Sequence, residues 1–325
     1  MTGPGPDDGL LLGVDVGGTT MSAGLVTRDG RVLVTRSQPT HGPQGGGAID
    51  RLLALAAETA ALPAAREAGI VGVGAGLPAL VDVASGTVGG EAHHVPELIG
   101  VPIAKLLAEV TGAPAFVDND VNALALAEWL WGAGRGATSF VLLAIGTGVG
   151  GGIILDGRLH RGAGGFGGEL GHVPIAFEGR PCICGARGCL KAFVAGPDLA
   201  AEASRRLGRP IDTAALFDLA ERGRSTSEGA LADAVIADAT EALAAGLAII
   251  VNGINPERLL VAGSVGRAFA RRESDLRARL SRRAFRGAVA TTHLAFLDVD
   301  KDTSVRGGAA LFLYERARNS GPRAG

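Results

Sequence analysis

Twice in this chain a short apolar run breaks at a glycine–threonine turn and resumes as a second apolar run, and this repeated pattern limits the fold more than any other feature. Residues 10–16 read LLLGVDV and are followed by Gly17-Gly18-Thr19-Thr20, then MSAGLVT, then RVLVTRS. Short aliphatic runs bounded by glycine predict strand, tight turn, strand, strand. Apolar spacing then predicts a helix over 48–62, a buried strand over 70–74, a helix over 101–110, a strand over 113–118 and a helix over 121–131. The segment GAGRG, residues 132–136, has the composition of a hinge, and after it the pattern restarts. SFVLLAIG predicts a strand, Gly-Thr-Gly a turn and GGIILDGRL a hairpin; much of 197–252 is helical, and ERLLVAGS ends a last buried strand in a glycine turn. Hairpins mixed with alternating strands and helices make the class α/β with two similar lobes. The expected lobes are 1–132, completed by a C-terminal helix over 306–319, and 133–305.

The chain has 325 residues, 52 of them glycine, with 47% hydrophobic residues and a formal net charge of -2. That length supports one large or two medium domains. Interspersed charges near neutrality supply no basic field for a polyphosphate backbone, which argues against nucleic acid as a partner. The start, MTGPGPDDG, lacks a basic segment followed by an apolar core, and no apolar run approaches the roughly 18 residues of a membrane span. The expectation is a cytoplasmic protein with no membrane partner and a frayed tail before Leu10.

Three glycine turns invite chemistry. Asp15, Gly17, Gly18, Thr19 and Thr20 place a carboxylate at a strand end, then two glycines whose backbone can approach a ligand, then two hydroxyls. Such a turn can present N–H donors to phosphate oxygens while the acid engages Mg²⁺ directly or through water, although an ordinary hairpin turn reads the same way. Gly146 to Gly151 spells G-x-G-x-x-G, but a dinucleotide fingerprint needs a helix directly after the turn, and the continuation GGIILDGRL alternates like a hairpin. A second phosphate-facing turn at Gly146, Thr147 and Gly148 remains, and a third at Gly263 and Ser264 suits an adenosine.

Asp118, Asn119 and Asp120 lie where a strand becomes a helix. Asn119 and Asp120 are apt helix caps. A catalytic Asp120 there would have its charged form favoured by the helix N-terminus and would be a weak base, which the loose transition state of phosphoryl transfer tolerates.

All three cysteines, Cys182, Cys184 and Cys189, fall within eight residues, and His172 precedes the first by ten. They cannot form a disulfide framework. The pattern H-x9-C-x-C-x4-C suits a closed Cys3His tetrahedron, a structural Zn²⁺ site that organises the loop 172–191 and leaves no position for water.

These pieces together resemble the ROK family of bacterial sugar kinases, from about Leu10 to Leu313. The resemblance rests on DVGGTT, GLPALVD (76–82), DNDVNA (118–123), GTGVGGGIILDGRLHRGAGGFGGELGH (146–172) and CICGARGC (182–189). It implies a two-lobed actin-like, hexokinase-type (ribonuclease H-like) fold whose interdomain cleft closes on ATP and a sugar. Asp120 would accept the proton of the sugar's primary hydroxyl, with Asn119 and Gly76 beside it on the acceptor. Asp15 to Thr20 and Gly146 to Gly148 would hold phosphates, and Gly263 and Ser264 would lie near the nucleoside. Glu169 would grip sugar hydroxyls, and His172 would put one ring nitrogen on zinc and turn the other to the sugar. ATP is the expected donor, because polyphosphate-using relatives generally lack the cysteines, and the family implies a homodimer.

Three changes, at four positions, depart from the family pattern. The motif C-x-C-G-x-x-G-C-x-E ends here in Lys191, where the family's glutamate contacts the sugar. His94 stands where a sugar-contacting asparagine is usual, with Leu98 in place of a tryptophan. Ala79 replaces a loop glycine. Replacing an acceptor by a triple donor changes what a pocket can hydrogen-bond, and an unpaired partner costs about 1–3 kcal/mol. Lys191 either offsets the charge of the thiolate cluster with its head in solvent or marks an acceptor other than glucose, such as the amino sugar kanosamine or a C7-cyclitol. Repressors of the same family carry a preceding helix-turn-helix domain of roughly 60–80 residues. With DVGGTT starting at Asp15 the expectation is an enzyme, a catalytically silent sugar-binding regulator being the alternative.

Overall fold

The computed structural model describes residues 9–42, 46–223 and 225–320, so the tail expected before Leu10 lies outside the described residues except for Gly9, which is buried. The chain divides into two compact units, residues 1–136 with 159–167 and 299–325, and residues 137–158 with 168–298.

In the first unit β1 (Leu10–Val16), β2 (Thr20–Val26) and β3 (Val32–Pro39) form an antiparallel meander. Next come α1 (Ala48–Ala60), α2 (Pro63–Ala68), β4 (Ile70–Leu77), the small hairpin β5 (Val81–Asp82) and β6 (Thr87–Val88), α3 (Ile103–Thr111), β7 (Ala115–Asn119) and α4 (Asp120–Trp131). The sheet order is β3-β2-β1-β4-β7, with β4 parallel to β1 and β7 parallel to β4. Period-two alternation assigns the faces: Leu10, Leu12, Val14 and Val16 join the core under α1 and α3, while Leu11 turns to the opposite face beside Val305, Ala309 and Phe312. Those last three belong to the C-terminal helix Lys301–Ser320. It lies close enough to the sheet that a Cβ on Gly74 would run into the Gly308 carbonyl, and one on Gly13 into that of Val305. Glycine on both partners is what permits this approach.

The second unit repeats the plan. It contains β8 (Phe140–Ile145), β9 (Val149–Leu155), β10 (Arg158–Leu159), α5 (Lys191–Val194), α6 (Gly196–Leu207), α7 (Thr213–Arg222), α8 (Ser227–Gly253), β11 (Arg258–Ala262), α9 (Ser264–Phe269), α10 (Glu273–Ser281), α11 (Arg286–Thr291) and β12 (His293–Phe296). The order β10-β9-β8-β11-β12 matches the first sheet strand for strand, with β8 and β9 antiparallel and β8, β11 and β12 parallel. One expectation is corrected here: α8 is long and apolar enough by length and composition to cross a membrane. It is the central core helix of this unit, with 67% of its most apolar window buried under neighbours such as Leu216, Phe217, Leu276 and Leu280.

The unit limits differ from the lobes read off the sequence. Residues 159–167, flanked in the chain by the second unit, join the first because the Leu159 N–H donates to Tyr314 Oη (2.8 Å) and Arg161 pairs with Asp118 and Glu315. The C-terminal helix starts at Lys301, five residues earlier than expected.

Candidate active site

Parallel pairing gathers three strand ends in the first unit. Asp15 of β1 is opposite Gly76 of β4, and Gly76 and Leu77 are opposite Asp118 and Asn119 of β7. The carboxyl ends of parallel strands are where α/β folds place their ligands. Leading out of β1, the Gly17 N–H donates to the Thr20 carbonyl (2.9 Å), and Thr40 Oγ1 donates to the Gly17 carbonyl (2.6 Å), closing the turn while Thr19 stays exposed. A Cβ on Gly18 would stand 2.9 Å from His94 Cβ, so the histidine packs directly on this turn. Burial pushes the Asp15 carboxyl above its ordinary range, with the Lys301 charge and the Ser304 hydroxyl opposing. A cation would offset that burial, and a carboxylate oxygen is the hard donor that Mg²⁺ requires, so the residue fits the ion.

Asn119 and Asp120 act at the start of α4 as their types predict. Asn119 Oδ1 accepts from the Val121 N–H (2.9 Å) and the Asn122 N–H (3.2 Å), and Asp120 Oδ1 accepts from the Val121 N–H (2.9 Å). The cap consumes Asn119's carbonyl oxygen. Gly76 packs against the same place, since a Cβ there would be 3.0 Å from Asp120 Cα. Beneath them Asp118, 3% exposed, is held by two partners that sequence reasoning missed, Arg161 and, through it, Glu315. The available signal was a glutamate inside the apolar run LFLYE of the C-terminal helix.

In the second unit β9 follows the Gly146–Gly148 turn as a strand, with Ile145 opposite Val149, so no helix N-terminus stands there. Gly146 donates to the Gly148 carbonyl (2.9 Å) and accepts from the Gly196 N–H (2.9 Å). Gly146, Thr147 and Ser264 line one cleft of about 1000 Å³ together with Pro197, Thr213, Phe217 and Arg271. Gly263 (φ +87°) sits at the end of β11, where a Cβ would stand 2.5 Å from the Ile145 carbonyl oxygen. Of the cleft, the sequence reading named Gly146, Thr147 and Ser264; the α6–α7 side carried no motif.

The donor atoms of His172, Cys182, Cys184 and Cys189 all lie within 4.8 Å of one another, and the cysteines are unpaired thiols. Cys184 and Cys189 sulfurs are 3.7 Å apart, and Cys182 Sγ is 3.5 Å from His172 Nδ1. Tetrahedral zinc, with sulfur at about 2.3 Å and nitrogen at about 2.0 Å, sets such edges at about 3.8 and about 3.5 Å, so these two spacings suit the ion. Burial, then the neighbouring sulfurs, push the Cys189 thiol up to about 12, while the Ala186 backbone lowers that of Cys184. Three thiolates in this space call for a cation. With Nδ1 toward the sulfurs, His172 turns Nε2 toward Glu169 Oε2, 4.0 Å away.

Lys191 follows directly at the start of α5, and its ammonium donates to Asp198 Oδ2 (2.8 Å) rather than reaching solvent. Leu98 is wholly buried in the first unit's core, where it packs rather than contacts an acceptor, and Ala79 is 4% exposed.

Residues 11–315 match the ROK family. A glucokinase of Thermotoga maritima is 36% identical over 279 residues, 79% of this chain and 83% of that protein. A ROK family glucokinase from Streptomyces griseus, solved in complex with glucose and AMPPNP, is 26% identical with a TM-score of 0.71, covering 95% of this chain and 100% of that one. A ROK family transcriptional regulator, a homolog of the E. coli MLC protein, is 26% identical with a TM-score of 0.80, covering 94% of this chain and 78% of that one. The two like-ordered sheets are those of the actin-like fold, as expected. With the fold, the motifs and a match across nearly the whole length in agreement, this chain belongs to the ROK family.

Proposed function

We propose that this chain, a carbohydrate kinase of the ROK family, transfers the γ-phosphoryl group of ATP to the primary hydroxyl of a hexose or hexose-like acceptor. The observation that carries the reading is Asp120, a carboxylate at the first position of α4, backed by Gly76 and by the Asn119 cap. Asp120 is the base that takes the hydroxyl proton. Its strength matters less than its placement, because a loose transition state needs positioning and late proton removal. Asn119, Gly76 and His94 in the first unit, and Glu169, His172 and Lys191 in the second, are the proposed acceptor ligands. Asn119 has its amide N–H₂ left for this, since its oxygen serves the cap.

Phosphates are assigned to Asp15, Gly17, Gly18, Thr19 and Thr20 and to Gly146, Thr147 and Gly148, and the nucleoside to the cleft beside Gly263 and Ser264. Mg²⁺, when bound near Asp15, supplies neutralisation of phosphate charge. Zn²⁺ on His172, Cys182, Cys184 and Cys189 is structural, with all four positions taken by protein. Fixing His172 by Nδ1 leaves Nε2 as the nitrogen directed away from the cluster, which supports its second role toward the acceptor. The family resemblance extends the proposal to a cytoplasmic homodimer, which sedimentation would test.

A second reading of the acceptor is favoured by one observation. Lys191 stands where the family motif has glutamate, and its ammonium, with one donor on Asp198, keeps two N–H groups for an acceptor other than glucose, an amino sugar such as kanosamine or a C7-cyclitol. The test is ATP consumption over glucose, mannose, N-acetylmannosamine, glucosamine, kanosamine and C7-cyclitols, with Asp120→Asn as control. An enzyme loses turnover in that variant and keeps substrate binding. No turnover in the parent protein on any acceptor would favour a sugar-binding regulator instead, and efficient turnover of glucose would remove the unusual acceptor.

A further inference from the structure

Arg161 ties the segment carrying Asp120 to the rest of the first unit. Its guanidinium, 16% exposed, donates from Nε to Asp118 Oδ2 (2.8 Å) and from Nη2 to Glu315 Oε1 (2.5 Å), with Nη2 also 2.7 Å from Asp118 Oδ2 as an ion pair. Burial works against that charge, and Asp118 and Glu315 outweigh it, so the guanidinium is held above its ordinary value. Asp118 spends its other oxygen on the Asn119 N–H (2.7 Å) and the Asn122 side-chain amide (3.1 Å). One carboxylate therefore joins Arg161 to the last residue of β7 and the first turn of α4, the two elements between which Asp120 stands. On another side a Cβ on Gly76 would stand 3.0 Å from Asp120 Cα, so only glycine fits there without a shift. The arginine itself is anchored, since the Leu159 N–H donates to Tyr314 Oη and the guanidinium lies 5.8 Å from the Tyr314 ring centre.

We propose that Arg161 is a positioning residue for phosphoryl transfer: its Nε donor on Asp118 and its Nη2 donor on Glu315 together set the direction in which β7 hands over to α4, and hence the place of the Asp120 carboxylate. This rests on Asp120 being the base. The choice of arginine carries the argument. A lysine would neutralise Asp118 and Glu315 as a point charge, whereas a planar guanidinium holds its Nε and Nη2 donors in a fixed relation, one on each carboxylate. A pair that merely stabilised the fold would accept either cation; one that aims a neighbouring residue would not.

The experiment compares Arg161→Lys and Arg161→Met with the parent and with Asp120→Asn, measuring melting temperature, kcat and the KM for ATP. Arg161→Lys is expected to stay folded with KM for ATP within about twofold, while kcat falls about 10- to 100-fold, the scale of a small misplacement of a reacting group. Arg161→Met should lose kcat at least as far and stability as well; if it does not fold, the lysine variant decides alone. A folded Arg161→Lys with kcat within about twofold of the parent would overturn the proposal, as would a loss of kcat that only follows the folded fraction. Asp120→Asn separates the two readings: if that variant keeps its turnover, the assigned base is wrong, whereas an inactive Asp120→Asn beside a fully active Arg161→Lys removes only the positioning role.

Discussion

Lys191 Nζ lies 2.8 Å from Asp198 Oδ2, joining the residue that follows the cysteine cluster to the first turn of α6. The two side chains are 17% and 27% exposed, so the pair is sheltered enough to matter. Lys191→Glu by itself would set two carboxylates against each other and is expected to cost about 1–2 kcal/mol. Adding Asp198→Asn should restore most of that. In the double variant, selectivity between glucose and amino sugars should move toward glucose, read as the ratio of kcat/KM values; an unchanged ratio in the folded double variant would leave Lys191 a purely structural residue.

Asn119 has two proposed tasks that substitution can separate. Serine can cap a helix, so Asn119→Ser should melt near the parent temperature while KM for the acceptor rises. Asn119→Ala should lose about 1 kcal/mol as well. Equal acceptor KM values in the parent and the serine variant would remove the amide from the acceptor site.

The thiol cluster predicts one zinc per chain by elemental analysis. Chelation should increase hydrogen exchange over 172–191 and raise the KM for the acceptor through His172, with the cleft beside Thr147 and Ser264 unaffected. Full protection of 172–191 after complete metal removal would contradict a structural ion.

Acid stability should depend on Glu202. The Arg205 hydrogen bond, with Arg206 and Arg180 adding to it against burial, lowers its carboxyl from 4.5 to about 2. A carboxyl lowered on folding contributes stability that is complete above its unfolded value and is lost as pH falls from there toward the folded one. Glu202→Gln should therefore melt earlier at neutral pH and converge with the parent near about pH 2. Parallel melting curves across that interval would refute the assignment.

The contact between Gly308 and the Gly74 carbonyl predicts that Gly308→Ala, a favourable change in an isolated helix, destabilises here by about 2–3 kcal/mol in denaturant unfolding. A neutral or stabilising result would mean that the helix can stand off the sheet without loss.

Local chemistry made much of this protein legible before its structure. Short continuous apolar runs, LLLGVDV and SFVLLAIG, bounded by glycine mark buried strands, and the hairpin continuation after Gly146–Gly151 separates it from a dinucleotide turn. The spacing of His172 and the cysteines names a cluster because few chemistries need three thiols so near one imidazole.

Contacts between segments far apart in the chain could not be read in that way. Nothing near Asp118 announces Arg161, 43 residues on, or Glu315, 154 residues beyond that, and only folding brings one guanidinium between two carboxylates. The same holds for 159–167 belonging to the first unit. Sequence by itself determined the periodic elements, the turns and the donor types, which depend on neighbours along the chain. Tertiary structure decided which charges meet and which helix lies on which sheet, because those depend on burial, and burial is a property of the whole chain.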